Sequence, residues 1–267
     1  MTQSASKKLI IISIILVAVG VGIVIRFYFA EQNAGDTAII DDTRKVATIP
    51  NEYADAIIDI ELARNGKSAA YSVFKNGEYF VTIGDKPEKK YKVGDLYDAI
   101  GGLDGFGDWP PELVMSPDGT KVAYSVQENG KQFVVFDGIE GKRYSKVGQL
   151  TFSDDSQHFA YAAADFTDSI NPATYRSVMV VDGIEREPFQ TIGFQGFLPN
   201  TGDVLYVGSN MVWPGARNIS TVVIGERKDK VYEDALIGSL AFSENGKTIA
   251  YYPSPTIKDG KHVKQYL

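Results

Sequence analysis

The feature that most limits how this chain can fold is a phrase that returns five times. It is a polar turn, then a strand ending in a small or apolar residue followed by tyrosine. The copies read ARNGKSAAY (ending at Tyr71), MSPDGTKVAY (Tyr124), FSDDSQHFAY (Tyr161), LPNTGDVLY (Tyr206) and FSENGKTIAY (Tyr251). Successive tyrosines lie 53, 37, 45 and 45 residues apart. Repeats of about 40–50 residues mark units that cannot bury their apolar face alone and must stack on their neighbours.

Each unit reads as four strands. In the second copy they are expected at 112–116, 121–127, 131–136 and 142–147. Ser116-Pro117-Asp118-Gly119 joins the first two, with proline and glycine where a turn wants them. Asn129-Gly130 is a two-residue hairpin signal. The first copy is expected at 57–62, 68–74, 78–83 and 89–93, with Asn76-Gly77 at the same turn. The third is expected at 150–153, 158–163, 177–182 and 188–192, and the fourth at 196–198, 203–207, 221–224 and 230–233. Four antiparallel strands in this space make one propeller blade. The expected fold is therefore all-β, a small propeller of about five four-stranded blades. The fifth copy offers only 239–243, 247–252 and 262–267. Residues 44–49 (RKVATI) look like the fourth strands KKYKV and KRYSKV, and are expected to close the ring as the outer strand of the last blade.

The stretches Met115-Ser116-Pro117-Asp118-Gly119 with Val122-Ala123-Tyr124, Phe152-Ser153-Asp154-Asp155 with Ala160-Tyr161, and Phe242-Ser243-Glu244-Asn245-Gly246 with Ala250-Tyr251 resemble the F-S-P-D-G-x-x-[IVL]-A-[YF] repeats of WD-repeat-like, TolB-type β-propellers. The paired strands ending in Asp137-Gly138 and Asp182-Gly183 resemble the next strand of that family. The resemblance covers about residues 55–267 and implies the fold. Propellers of this type act as scaffolds, binding modules or gating domains of peptidases, so the resemblance implies no catalytic residue: the shared motif is structural.

Ahead of the repeats, Leu9 to Ile25 carries no charge, and Arg26, Phe27, Tyr28, Phe29 and Ala30 extend the run. A spanning helix takes about 20 apolar residues, and interfacial aromatics suit its end. Lys7 and Lys8 precede the run, while Glu31 and Asp36 follow it. The positive-inside bias then places residues 1–8 in the cytoplasm, an uncleaved transmembrane helix at residues 9–30, a linker at 31–43 and the propeller at 44–267 outside. A cleaved signal peptide is the competing reading; its apolar core runs about 7–15 residues with small residues before the cut, whereas here Tyr28 stands where one would be needed. The chain is thus expected to be a single-pass membrane protein, held in the cytoplasmic membrane from Leu9 to Ala30. Ala18 and Gly22 form a small-xxx-small pair, a common feature of such helices.

Composition excludes several functions. The chain has 267 residues, no cysteine and a formal charge of −7. Thiol chemistry, disulfides and cysteine-based zinc sites are ruled out, and no basic stripe invites nucleic acid. The two histidines, His158 and His262, stand apart on strands, and no Gly-x-Ser-x-Gly elbow accompanies them. No metal, cofactor or catalytic residue is expected. Asn218-Ile219-Ser220 matches a glycosylation triplet, a pattern that chance often produces.

Departures from a repeat fall in loops on one face. Three insertions stand out, at 94–111, 164–176 and 208–220. Strands of a blade run up and down, so the 2–3 and 4–1 connections share a face, and all three insertions land there. They carry Phe106 and the binding candidates Trp109, Phe166, Tyr175, Arg176, Trp213 and Arg217, residue types that anchor interfaces. They also carry Asp104, Asp108, Asp165 and Asp168; a pair of such acids about 5–10 Å apart would permit glycoside hydrolysis. The leading expectation is a membrane-anchored, extracytoplasmic propeller that binds a protein or glycan without catalysis. The alternatives are a glycosidase-like propeller using loop carboxylates and a purely structural envelope subunit.

Overall fold

The computed structural model describes residues 8–19, 22–32, 36–41, 44–84, 86–92, 112–166, 174–212, 217–233, 235–255, 257–258 and 261–262. Two compact units make up the chain, Met1–Asn129 with Val135–Ile139, and Gly130–Val134 with Glu140–Leu267.

The N-terminal sheet runs β1 (Lys8–Val19), β2 (Gly22–Gln32), β3 (Asp36–Asp41) and β4 (Arg44–Pro50) in that order. Here the structure departs from the sequence reading three times. The run expected as one helix over 9–30 is a pair of strands, and among the described residues no helix is long and apolar enough to cross a membrane. Eleven of the seventeen residues from Leu9 to Ile25 are isoleucine or valine, whose branched Cβ favours extended backbone. The expected linker contains β3. Finally, β4 pairs with β3 rather than with the last repeat. Its likeness to a fourth strand still has a physical meaning: Ala47 and Ile49 are buried against Ile60, Tyr71 and Phe80 of the first repeat.

That first repeat is β5 (Ile57–Leu62), β6 (Ala69–Lys75) and β7 (Glu78–Ile83), with a fourth strand in two pieces, β8 (Lys86–Pro87) and β9 (Tyr91–Lys92), both on β7. The second sheet is β10 (Leu113–Met115), β11 (Val122–Glu128), β12 (Lys131–Phe136) and β13 (Ile139–Glu140). The third is β14 (Lys146–Phe152), β15 (Phe159–Asp165), β16 (Arg176–Val181) and β17 (Ile184–Glu185). The fourth is β18 (Thr191–Phe197), β19 (Val204–Val212), β20 (Arg217–Ile224) and β21 (Arg227–Glu233). Two-stranded pairs follow, β22 (Ala235–Phe242) with β23 (Ile249–Pro255), and β24 (Ile257–Lys258) with β25 (Lys261–His262). Four-stranded antiparallel sheets therefore follow one another as the repeat demands. Residues 263–267, expected to finish the last strand, lie outside the described residues.

Fourth strands differ most from expectation. Asp137 and Gly138, like Asp182 and Gly183, have positive φ, so a two-residue turn sends the chain straight back and the ladder forms at once. It then breaks, and Tyr144 and Phe189 touch the third strand again only through the isolated bridges Gln132↔Tyr144 and Ser177↔Phe189. The next sheet begins within the stretch that was expected to complete the previous one.

The repeated turn is built from its own side chains. Lys121 N–H donates to Ser116 Oγ, whose hydroxyl donates to Asp118 Oδ1 at 2.6 Å. His158 N–H, Ser153 and Asp155 repeat the arrangement, and so do Thr248 N–H, Ser243 and Asn245. In the first unit the turns of successive repeats are tied, with Ser68 Oγ donating to the Gly119 carbonyl at 2.9 Å.

The recurring tyrosine has a packing reason. Tyr124 is fully buried, with its ring 6.5 Å from Tyr91 of the previous repeat's fourth strand and its hydroxyl donating to Glu88 at 3.0 Å. In the second unit Tyr161 shares a hydrogen bond with Tyr144, and Tyr206 packs edge-on against Phe189 at 6.3 Å. Each of these three strand-two tyrosines thus docks on the fourth-strand aromatic of the sheet before it. Burial first, and the neighbouring tyrosine and carboxylate next, push the Tyr124 phenol up.

Glu185 is a heavily bonded carboxylate of the second unit. It accepts from Lys142 Nζ at 2.7 Å, from the Tyr144 hydroxyl at 2.8 Å and from Arg176 Nη2 at 3.1 Å. The Lys142 and Tyr144 bonds, with Arg176 behind them, hold its carboxyl down at about 2, against an ordinary value of 4.5. A lowered folded value stabilises the fold above the unfolded value and loses that contribution as pH falls through the folded one. Because the group is partly exposed, Glu185→Gln should cost only about 1 kcal/mol at pH 7. Melting curves of wild type and variant should differ from pH 7 down to about 5 and converge toward pH 2. A gap still undiminished at pH 2 would contradict this role.

Candidate functional site

The loop-bearing edge of the third sheet starts where β15 ends. Asp165 Oδ1 accepts the Ser145 N–H at 3.1 Å and faces Lys131 at 3.7 Å. This acid, a candidate for loop chemistry, is therefore fixed as an anchor between adjacent strands. The fourth sheet repeats the device, with Gln190 N–H donating to Asn210 Oδ1 at 2.9 Å. Beyond Asp165 the chain leaves at Phe166 and returns at Tyr175, and these two rings meet at 5.4 Å with a 41° tilt. Arg176 opens β16 and reaches Glu185.

In the fourth sheet the expected loop over 208–220 is mostly hairpin. Ser209↔Ser220, Asn210↔Ile219, Met211↔Asn218 and Val212↔Arg217 all pair, and Ser220 is buried with its hydroxyl 3.0 Å from that of Ser209. Arg217 stands at the hairpin end and meets Glu233 at 3.2 Å. Phe166 and Tyr175 are thus brought together, with Arg176 beside them and Arg217 on the corresponding end of the next sheet. Both arginines sit in exposed ion pairs worth about 0–1 kcal/mol, which a ligand can exchange at little cost. Trp109 and Trp213, with Phe106, Asp104, Asp108 and Asp168, lie outside the described residues.

Among the described residues no cluster of three histidines or acids could hold a metal. His158 Nδ1 lies 2.8 Å from Asp182 Oδ2 and its ring stacks on Phe197 at 6.3 Å, joining the third strand's end to the turn of its own sheet.

The opposite ends of the third and fourth sheets enclose a feature that the sequence reading missed. A cleft of about 250 Å³ lies between the β16–β17 and β20–β21 hairpins, floored by Phe189, Tyr206 and Val223. Its walls carry paired charges: Arg186 with Glu226 at 2.5 Å, and Lys228 with Glu187 at 2.7 Å. Burial pushes the Tyr206 phenol up to about 12, with nearby Arg186 opposing and Glu187 adding to the shift. The signal was present in the fourth-strand aromatics Tyr91, Tyr144, Phe189 and Tyr232, where the third member lacks a hydroxyl.

Comparison with known proteins returns neither a matching family model nor a matching curated protein. Solved structures do resemble the chain. Hydrazine synthase of Kuenenia stuttgartiensis is 14% identical, covers 77% of this chain and 57% of its own, and has a TM-score of 0.35. Acylaminoacyl peptidase of Pyrococcus horikoshii is 15% identical over 76% of this chain and 36% of its own, with a TM-score of 0.42. TolB of Acinetobacter baumannii is 15% identical over 75% of this chain and 49% of its own, with a TM-score of 0.33. This chain therefore spans from about a third to just over half of those chains. Likeness at this level extends to no activity, substrate or partner.

Proposed function

We propose that the protein is a membrane-tethered β-propeller that displays a non-catalytic binding edge outside the cytoplasmic membrane, for a protein or glycan ligand. The observation that carries this reading is the Phe166–Tyr175 ring pair beside Arg176, with Arg217 on the matching end of the next sheet. Aromatics and arginine supply anchor energy at interfaces, and here the arginines are held only by exchangeable pairs. By sequence Trp109 falls in a 4–1 connection and Trp213 in a 2–3 connection, the two kinds expected to share a face with the 164–176 insertion. A pull-down or glycan array should lose its ligand, by tenfold or more, in Phe166→Ala, Trp109→Ala or Trp213→Ala. Unchanged capture by all three would remove the reading.

The tether is the apolar run from Leu9 to Ala30. In a bilayer an open hairpin leaves its edge N–H and C=O groups without partners, whereas a helix satisfies them internally. The run therefore crosses as a helix once lipid is present, with Lys7 and Lys8 inside. Alkaline phosphatase fused after residue 43 should be active, and the protein should stay in the carbonate-washed membrane pellet. An inactive fusion, or release into the supernatant, overturns the tether.

A further inference from the structure

The two inter-sheet docks that use a tyrosine pair satisfy their hydroxyls: Tyr124 donates to Glu88, and Tyr161 bonds Tyr144, which donates to Glu185. The dock of the fourth sheet on the third does not. Phe189 replaces the tyrosine there, and the Tyr206 hydroxyl has no hydrogen-bond partner among the described residues, although the side chain is only 2% exposed. Arg186 Nε, on the wall of the same cleft, is buried without a partner. A buried donor left unmade is costly, and this one, in a cleft that Tyr206 also lines, leaves room for a ligand that supplies what the protein lacks.

We propose that this cleft binds one neutral pyranose residue. The charges decide for neutrality. Arg186 and Lys228 are each paired with a glutamate, and Glu185 is held by Lys142, Tyr144 and Arg176. An added anion would meet three carboxylates, and an added cation would find each of them already engaged. A sugar hydroxyl accepts from Arg186 Nε–H, another meets the Tyr206 hydroxyl, and further hydroxyls donate to the spare lone pairs of Glu187 and Glu226. The carbon face of the ring lies on Phe189 and Val223. The volume, about 250 Å³, falls below the range of about 300–1,000 Å³ typical of drug-sized ligands, and so suits a single ring. The site lies at the other end of the strands from the proposed binding edge. It narrows the proposed glycan reading without depending on Phe166, Trp109 or Trp213.

Saturation-transfer NMR and titration calorimetry on the full chain in detergent test the proposal. The probes are methyl α-D-glucopyranoside, methyl β-D-galactopyranoside and N-acetylglucosamine as free sugars. Immobilised oligosaccharides ending in the same residues test the glycan source. At least one sugar should bind to wild type. Tyr206→Phe should weaken it tenfold or more with no loss of melting temperature, because the deleted hydroxyl has no partner in the free protein. Phe189→Tyr, which restores the tyrosine pair of the other docks, should engage the Tyr206 hydroxyl and weaken binding tenfold or more while the fold persists. Failure of every sugar in wild type, equal binding in all three proteins, or binding of sodium acetate or phosphate in place of sugars would each overturn the proposal. Sugar binding that survives Phe166→Ala but not Tyr206→Phe assigns the sugar to the cleft. Loss of ligand capture in Phe166→Ala with no sugar bound in wild type would leave the binding edge standing and remove only the cleft.

Discussion

Tyr124→Ala should destabilise the protein by about 3–5 kcal/mol, the cost of emptying a buried aromatic site that cannot fully collapse. The ring is fully buried and is held on two sides, 6.2 Å from Tyr79 and 6.5 Å from Tyr91, in edge-on geometry. Its removal opens a void between two consecutive repeats and leaves Glu88 without its donor. Tyr124→Phe keeps the ring and should cost only about 1.5–3 kcal/mol, the value of a hydrogen bond to a charged acceptor. Urea titration of both variants separates packing from bonding. Similar losses in the two would mean that the hydroxyl, not the ring, ties the sheets.

Gly119→Ala should cost about 2–5 kcal/mol. Two penalties add. The residue sits at φ +73°, where an L side chain costs about 1–2 kcal/mol. A Cβ there would also collide with Ser68 Oγ and lie 2.7 Å from the Ala63 Cβ, and overpacking of this kind costs about 1–3 kcal/mol. Gly130 provides the control, because at φ +72° it has nothing within 4 Å of its would-be Cβ. Gly130→Ala should therefore lose only the conformational part. Equal losses at the two sites would show that the turn of the first repeat yields freely to the turn of the second.

Much of the architecture was legible because a single phrase carries turn chemistry, strand alternation and a docking residue together. The Ser116, Ser153 and Ser243 turns and the Asn76-Gly77 and Asn129-Gly130 hairpins form where their residues require. Fourth strands starting at Lys142 and Pro188 were misjudged because the Asp-Gly turns set the pairing earlier, at Ile139–Glu140 and Ile184–Glu185. The strand-forming bias of Ile10, Ile11, Ile12, Ile14 and Ile15 competed with their apolarity, and an apolar run alone does not decide between helix and strand. The third insertion read as loop because Gly208 and Asn210 look like breakers, yet Asn210 is the clamp for Gln190. The cleft was invisible for a different reason. It lies between two hairpins of neighbouring sheets, and the substitution of phenylalanine for tyrosine at 189 within a repeat means little until the partner of each position is known.

The inter-sheet docks also have a direction and a length. Tyr144 and Tyr161 are seventeen residues apart, as are Phe189 and Tyr206, and Tyr91 and Tyr124 are separated by 33 only because an insertion lies between them. Every dock joins the end of one sheet to the second strand of the next. Each newly made segment can therefore lock onto structure completed just before it, with little loop-closure entropy to overcome. Such a chain assembles from its N-terminus in step with synthesis. Each sheet then waits with an unpaired flank only until the next one has been translated.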